Sequence, residues 1–206
     1  LSGVFFTSAG EETVSALWKR TDMFEQSKQN NNQPRVIGAT LEFDLLTFPC
    51  KATINPDPVM GLVLWLKSRF IQAKIIGIDT LPEIFVPSEN EPALYIRMTG
   101  DNAVVRNVHA VAWITARIAC HIFTGKVQTQ EMWARSISNI LSIEGEVVLA
   151  DKSPLLFQQI TINPTSNPLS EGQVTITGQY GVLKDSIHYD PLNNLNIERE
   201  EMPTGG

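Results

Sequence analysis

His109 and His121 are the side chains best suited by type to hold a metal ion, but their spacing works against it. They stand twelve residues apart in a stretch that reads as extended chain, and at ~3.3 Å per residue that places them roughly 40 Å apart. They cannot chelate one ion within a subunit, so each is expected to be a surface or interface imidazole. Asp185, Ser186, His188 and Asp190 supply the residue types of a hydrolytic triad. They fall in a weakly hydrophobic tail, where nothing builds the preorganised, water-excluding pocket that catalysis needs. Asp101 and Asn102 after Gly100 could offer oxygens to a cation, yet a turn between strands accounts for all three. Cys50 and Cys120 form neither a CxxC pair nor a zinc-spaced cluster; buried thiols in a reducing compartment are the expectation, with one long-range disulfide as the alternative. Nucleophile-elbow, phosphate-cradle and zincin motifs are absent from the sequence. The residues therefore predict no catalysis, no metal and no cofactor.

Trp113 and Arg117 point to a different chemistry, because both types are enriched where one protein surface grips another. They belong to residues 104 to 123, where Val108, Ala110, Ala112, Ile114, Ala116, Ile118, Cys120 and Ile122 take every second position. Asn107, His109, Trp113, Thr115, Arg117 and His121 fill the opposite face, which is strand periodicity, with a helix as the rival. A strand this long is expected to bend at a bulge or to project as a hairpin arm, and projection implies a neighbouring subunit. Trp113 would then stack on that neighbour and Arg117 pair with an acid there; a second small core beneath a helix is the other place for Trp113.

The remaining elements follow from local signals. Ser8 and Glu11 have capping-box spacing ahead of Val14, Leu17, Trp18 and Phe24, which predicts an amphipathic helix over residues 9 to 27. A polar linker, 28 to 34, leads to Ile37, Ala39, Leu41, Phe43 and Leu45, the alternation of a strand with one buried face. Residues 51 to 54 are its expected partner. Asp57 and Pro58 open a second helix running to about Gln72. Short strands are expected at 74 to 78 and 93 to 98, separated by a proline-rich surface loop at 81 to 92. A third helix, capped by Thr129, carries Trp133, Ile137, Ile140 and Leu141. Strands close the body at 146 to 149, 155 to 163 and 173 to 182, with Val174, Ile176, Tyr180 and Val182 inward, Gln173, Thr175, Thr177 and Gln179 outward, and Gly178 marking a bulge. The fold class is α+β: a mixed or antiparallel sheet with two to three helices packed on it and a long strand or hairpin arm. Residues 1–54 form an N-terminal extension, 55–184 the body and 185–206 an acidic tail.

Of the 206 residues 43% are hydrophobic and 18% charged, which suits a packed core rather than a disordered chain. The net charge of −6 withholds the electrostatic footprint of a dedicated nucleic-acid binder, so any contact with DNA should be non-adhesive. No apolar run approaches the ~20 residues of a membrane helix, and the opening six residues lack the basic flank of a secretory signal. A soluble protein made in the cytosol is expected.

Over residues 57 to 184 the order of elements resembles the tail terminator and tail-completion proteins of long-tailed bacteriophages. The resemblance is carried by the helix from Pro58, the strand Ala93-Leu-Tyr-Ile-Arg-Met98, the alternating strand through Arg117, the helix from Thr129 and the closing strand, residues 172 to 183. It implies a subunit of a ring, usually hexameric, that caps the finished tail tube and docks to the head. Its implied partners are further copies of itself, the tail tube protein, a head-completion or connector protein, and DNA passing through the lumen without specific binding. The implied location is the virion tail or neck, assembled in the host cytoplasm. Trp113, Arg117, His109, His121 and Tyr189 are the candidate subunit contacts, and Glu42, Asp44, Glu144 and Glu146 the candidate lumen acids. Residues 1–54 have no obvious counterpart in the smallest family members. Another neck or minor tail protein, or a bacterial α+β binding module or small enzyme, are the alternative readings.

Overall fold

The computed structural model describes residues 3–7, 12–26, 36–49, 54–104 and 111–183. Its strands are β1 (Phe5–Thr7), β2 (Thr13–Gln26), β3 (Val36–Phe48), β4 (Lys74–Ile75), β5 (Ile84–Phe85), β6 (Ala93–Val104), β7 (Val111–Phe123), β8 (Glu146–Val148), β9 (Pro154–Ile162) and β10 (Val174–Leu183); its helices are α1 (Pro58–Arg69) and α2 (Val127–Glu144). The fold is α+β, with both helices packed on a six-stranded mixed sheet of order β4-β6-β7-β10-β9-β8 and a smaller antiparallel sheet of order β3-β2-β1-β5 beside it. Among the described strands only β4 and β6 pair in parallel.

The large sheet forms because β7 and β10 present one apolar side. Ala116, Ile118, Cys120 and Ile122 are buried with Leu94 and Ile96 of β6 and Val174, Ile176 and Tyr180 of β10. Onto this layer α1 lays Leu62, Val63 and Leu66, and α2 lays Ala134, Ile137 and Leu141. The α1 start is as expected: the Asp57 Oδ1 accepts from the amides of Val59, 2.9 Å, and Met60, 3.0 Å, and Pro58 stands at the first helical position. It ends at Arg69 rather than Gln72. The second helix begins at Val127 after Lys126, two residues before the expected Thr129 cap, and stops where Gly145 turns left-handed at φ 73°. The bulge expected at Gly178 is present as a register shift between Thr177 and Gly178 against β9.

A second, aromatic cluster lies against the opposite side of β6 and β7. Phe5, Phe48 and Phe123 meet edge to face with centroids 5.0 to 6.0 Å apart, and Tyr95 meets Phe48 edge to face at 5.0 Å. This cluster seats the root of the smaller sheet on the body.

Several expectations are corrected. The helix over residues 9 to 27 is the strand β2 where it is described; Ser8 and Glu11 lie outside the described residues. The Gly100-Asp-Asn102 turn lies inside β6, which bulges between Met98 and Gly100 and runs on to Val104. The alternating segment is therefore divided: Val104 ends β6, Val111 begins β7, and 105–110 lie outside the described residues. The loop at 81 to 92 contributes β5, which pairs with β1. Ile54 joins no strand, and residues 50–53 and 184–206 lie outside the described residues. Gln173 is not outward but fully buried.

Candidate subunit interface

Beyond its root, the smaller sheet continues as a two-stranded ribbon of β2 and β3, paired antiparallel from Thr13 with Phe48 out to Gln26 with Val36. Residues facing each other across such a ladder share a side. The register therefore places Thr13, Ser15, Leu46 and Phe48 on one side, and these sit in or against the aromatic cluster. Further out the same side becomes charged. Lys19 occupies the bulge between Trp18 and Arg20, and pairs with Glu42 at 3.3 Å and Asp44 at 3.4 Å, while Arg20 pairs with Glu42 and Asp22. Donating a hydrogen bond to Glu42, then facing the charge of Asp44, holds the Lys19 ammonium above its ordinary range. Phe24 lies on this side over Gly38, whose missing side chain makes room for the ring.

The opposite side of the arm is apolar and in water. Trp18 faces Phe43, Leu45 faces Ala16, Leu41 faces Thr21 and Met23 faces Ala39. Met23 is 80% exposed, Leu45 72%, Leu41 56%, Trp18 55% and Phe43 48%. An aromatic side chain alone can bury 150–250 Å², so this stripe exposes on the order of 600 Å², the upper end of what a monomer tolerates. The alternation of Ala39, Leu41, Phe43 and Leu45 predicted a buried side; the folded chain leaves that side uncovered.

Trp113 is half-buried on β7 beside Gly181, and Arg117 is exposed on the uncovered polar side of the large sheet, where Thr99, Gln159 and Thr177 share its groove. His121 is a correction: it is 3% exposed, not a surface imidazole. Its Nδ1 lies 2.8 Å from the Pro168 carbonyl oxygen, which can only accept, so Nδ1 carries the proton and Nε2 accepts from Arg97 Nε at 3.0 Å. The imidazole fastens the loop after β9 to β6 and β7. His109 and Tyr189 lie outside the described residues, as does the cluster around His188.

The four acids divide too. Glu42 and Asp44 stand on the charged side of the arm, matched by Lys19 and Arg20 rather than presented as bare charge. Glu144, at the end of α2, accepts from the Trp65 indole and pairs with Arg69, and Glu146 is exposed on β8. Among the described residues no group of three or more His, Cys, Asp or Glu is arranged to hold a metal, and no helix is long and apolar enough to cross a membrane.

The exposed arm stripe was missed because β2 was expected to be a helix; the signal that could have found it was the unbroken alternation of β3. No family model matches the chain, and no curated protein matches it.

Proposed function

We propose that this chain is a structural, ring-forming protein of a bacteriophage tail, of the terminator type, which caps the tail tube and joins it to the head without catalysis. The observation that carries this reading is the arm. A β-ribbon projecting from the body with one apolar side in water is a surface made to be covered by another protein. The order of body elements supports the terminator assignment by resemblance, and the net charge of −6 suits a subunit past which DNA slides without being gripped. Tail tube protein and a head-completion or connector protein are the partners this reading names, and a hexamer is the ring.

Native mass spectrometry and negative-stain microscopy of the purified protein test it, followed by mixing with polymerising tail tubes. A closed ring that halts tube growth is the expected result. A chain that stays monomeric even with tubes present overturns the reading.

A further inference from the structure

Besides the arm, the chain carries a second uncovered apolar feature, and it lies at the other side of the large sheet. Between α1 and the edge strand β8 runs a groove of about 430 Å³, with Gly61 and Val147 in its lining, Leu64, Trp65 and Val148 as apolar walls, and the carboxylates Glu144 and Glu146 beside them. Leu64 is 58% and Val148 63% exposed. At Gly61 α1 lies close to the chain just after β8: a Cβ there would meet Leu149 Cδ2 at 2.4 Å. Among the described residues β8 ends the sheet, with no strand paired to its outer edge. The arm is rooted on Ile76, Ala93, Tyr95 and Phe123, at the β4, β6 and β7 side of the same sheet. With strands ~4.8 Å apart, β8 lies three to five strands from this root, about 14–24 Å away.

A ridge rooted on one part of the sheet and a groove at another is the arrangement of a heterologous contact, in which copies join head to tail and close into a ring if the rotation allows. We propose that the apolar side of the arm, with Trp18, Leu41, Phe43 and Leu45, docks against the α1/β8 groove of a second copy of this chain; the proposal rests on the reading of the chain as an oligomer and names the surface that builds it. Covering one stripe of ~600 Å² with an equal area of the partner buries about 1,200 Å², the lower bound of a standard-size interface. In a ring every subunit makes two such junctions, one as donor of the arm and one as acceptor. Arm-to-arm packing would instead pair copies two at a time and leave the groove empty.

The test uses two full-length variants altered only at exposed positions: L41D/L45D in the arm and L64D/V148D in the groove. Unchanged circular dichroism and melting confirm that each remains folded. Each alone should sediment as a monomer where the wild type is assembled. Mixed at ~100 µM, within reach of an interface of this size, they should form a 1:1 dimer of twice the monomer mass and nothing larger, because one intact arm meets one intact groove. Wild-type assembly that survives L64D/V148D but not L41D/L45D overturns the groove and leaves arm-to-arm packing or a tube subunit as occupant. A wild-type ring with no mixed dimer likewise overturns the docking while the ring stands. A mixed dimer from a wild type that grows into open chains overturns the ring while the docking stands, and a wild type monomeric throughout overturns both.

Discussion

Replacing Gln173 with leucine should cost the isolated subunit about 3 kcal/mol, although the two side chains differ little in size. Gln173 is fully buried. Its Oε1 accepts from the Ile122 amide at 2.6 Å, and its Nε2 donates to the carbonyl oxygens of Ser166, 3.0 Å, and Glu171, 3.1 Å. Leucine strands the amide in the interior, and an unpaired buried donor costs about 1–3 kcal/mol. The two carbonyls lose less, since Gln130 also reaches the Ser166 oxygen at 3.3 Å, and together they add about 1 kcal/mol. For a chain of this size 3 kcal/mol lowers the melting temperature by about 6–12 °C.

The loop these bonds hold, 163–172, carries Leu169 against the aromatic cluster and shares a cleft with Leu17 at the base of the arm. The loss therefore reaches the seat of the arm as well. Urea unfolding of the monomeric L41D/L45D background, with and without Gln173→Leu, measures it free of assembly. Gln173→Glu adds a signed pH test. Its second oxygen would face carbonyl oxygens, so the neutral form is favoured in the folded state and the folded pKa rises above the unfolded value of about 4.3. Between those two values the folded state binds more protons than the unfolded, and stability must fall as pH rises from about 5 to 8. A loss below about 1 kcal/mol for the leucine variant, or a flat pH profile for the glutamate variant, refutes the reasoning.

Phe48→Ala should destabilise by about 3–5 kcal/mol, since the ring is held edge to face by Phe5, Tyr95 and Phe123, while Phe48→Leu should lose about half as much; chemical denaturation distinguishes the two. Assembly through the apolar side of the arm should persist at ~1 M NaCl, where charges are screened beyond about 3 Å; sedimentation showing monomers in high salt would transfer the contact to the charged side. In a monomeric variant, amides of β2 and β3 beyond residue 16 should exchange with deuterium faster than those of β7 and β10, because a lone two-stranded ribbon is marginal in water. Assembled wild type should slow that exchange by at least tenfold, and equal rates in the two states would refute burial of the arm.

The parts of the fold legible in the sequence are those whose pattern is unbroken and local. The Asp57-Pro58 cap, the alternation of β3 and of β7 from Val111, and the Gly178 bulge each carry their own signal. The β2 strand was misread because its alternation breaks. Val14, Ala16 and Trp18 share one side, the bulge at Lys19 shifts the parity, and Thr21 and Met23 continue that side out of step. Counted without the bulge, Val14, Leu17, Trp18 and Phe24 mimic a helical stripe. What decides between strand and helix is the ladder to β3, a non-local partner beyond any short window. The same holds for β5, whose two residues become a strand only because β1 is there to pair with them, and for Gln173, whose burial follows from the loop folding over it.

The candidate interface was legible in β3, but its meaning was inverted. Alternating Ala39, Leu41, Phe43 and Leu45 called for a covered side, and in the folded chain the covered side is the other one, with Leu46 and Phe48 at the root and ion pairs beyond. Exposed ion pairs are worth about 0–1 kcal/mol each and cannot by themselves hold a long ribbon straight. The apolar stripe can: at about 25 cal/mol per Å², covering its ~600 Å² yields up to about 15 kcal/mol, an upper bound because an unfolded arm already hides part of that surface. Joining two bodies costs on the order of 4–15 kcal/mol. The gain is of the same order as the cost, so the stripe matters most where another surface covers it. In the proposed assembly, ordering of the arm and association of subunits would therefore be one equilibrium, in which the ribbon is stabilised by what covers it. On that reading, the stripe belongs to an interior that a single copy of the chain does not complete.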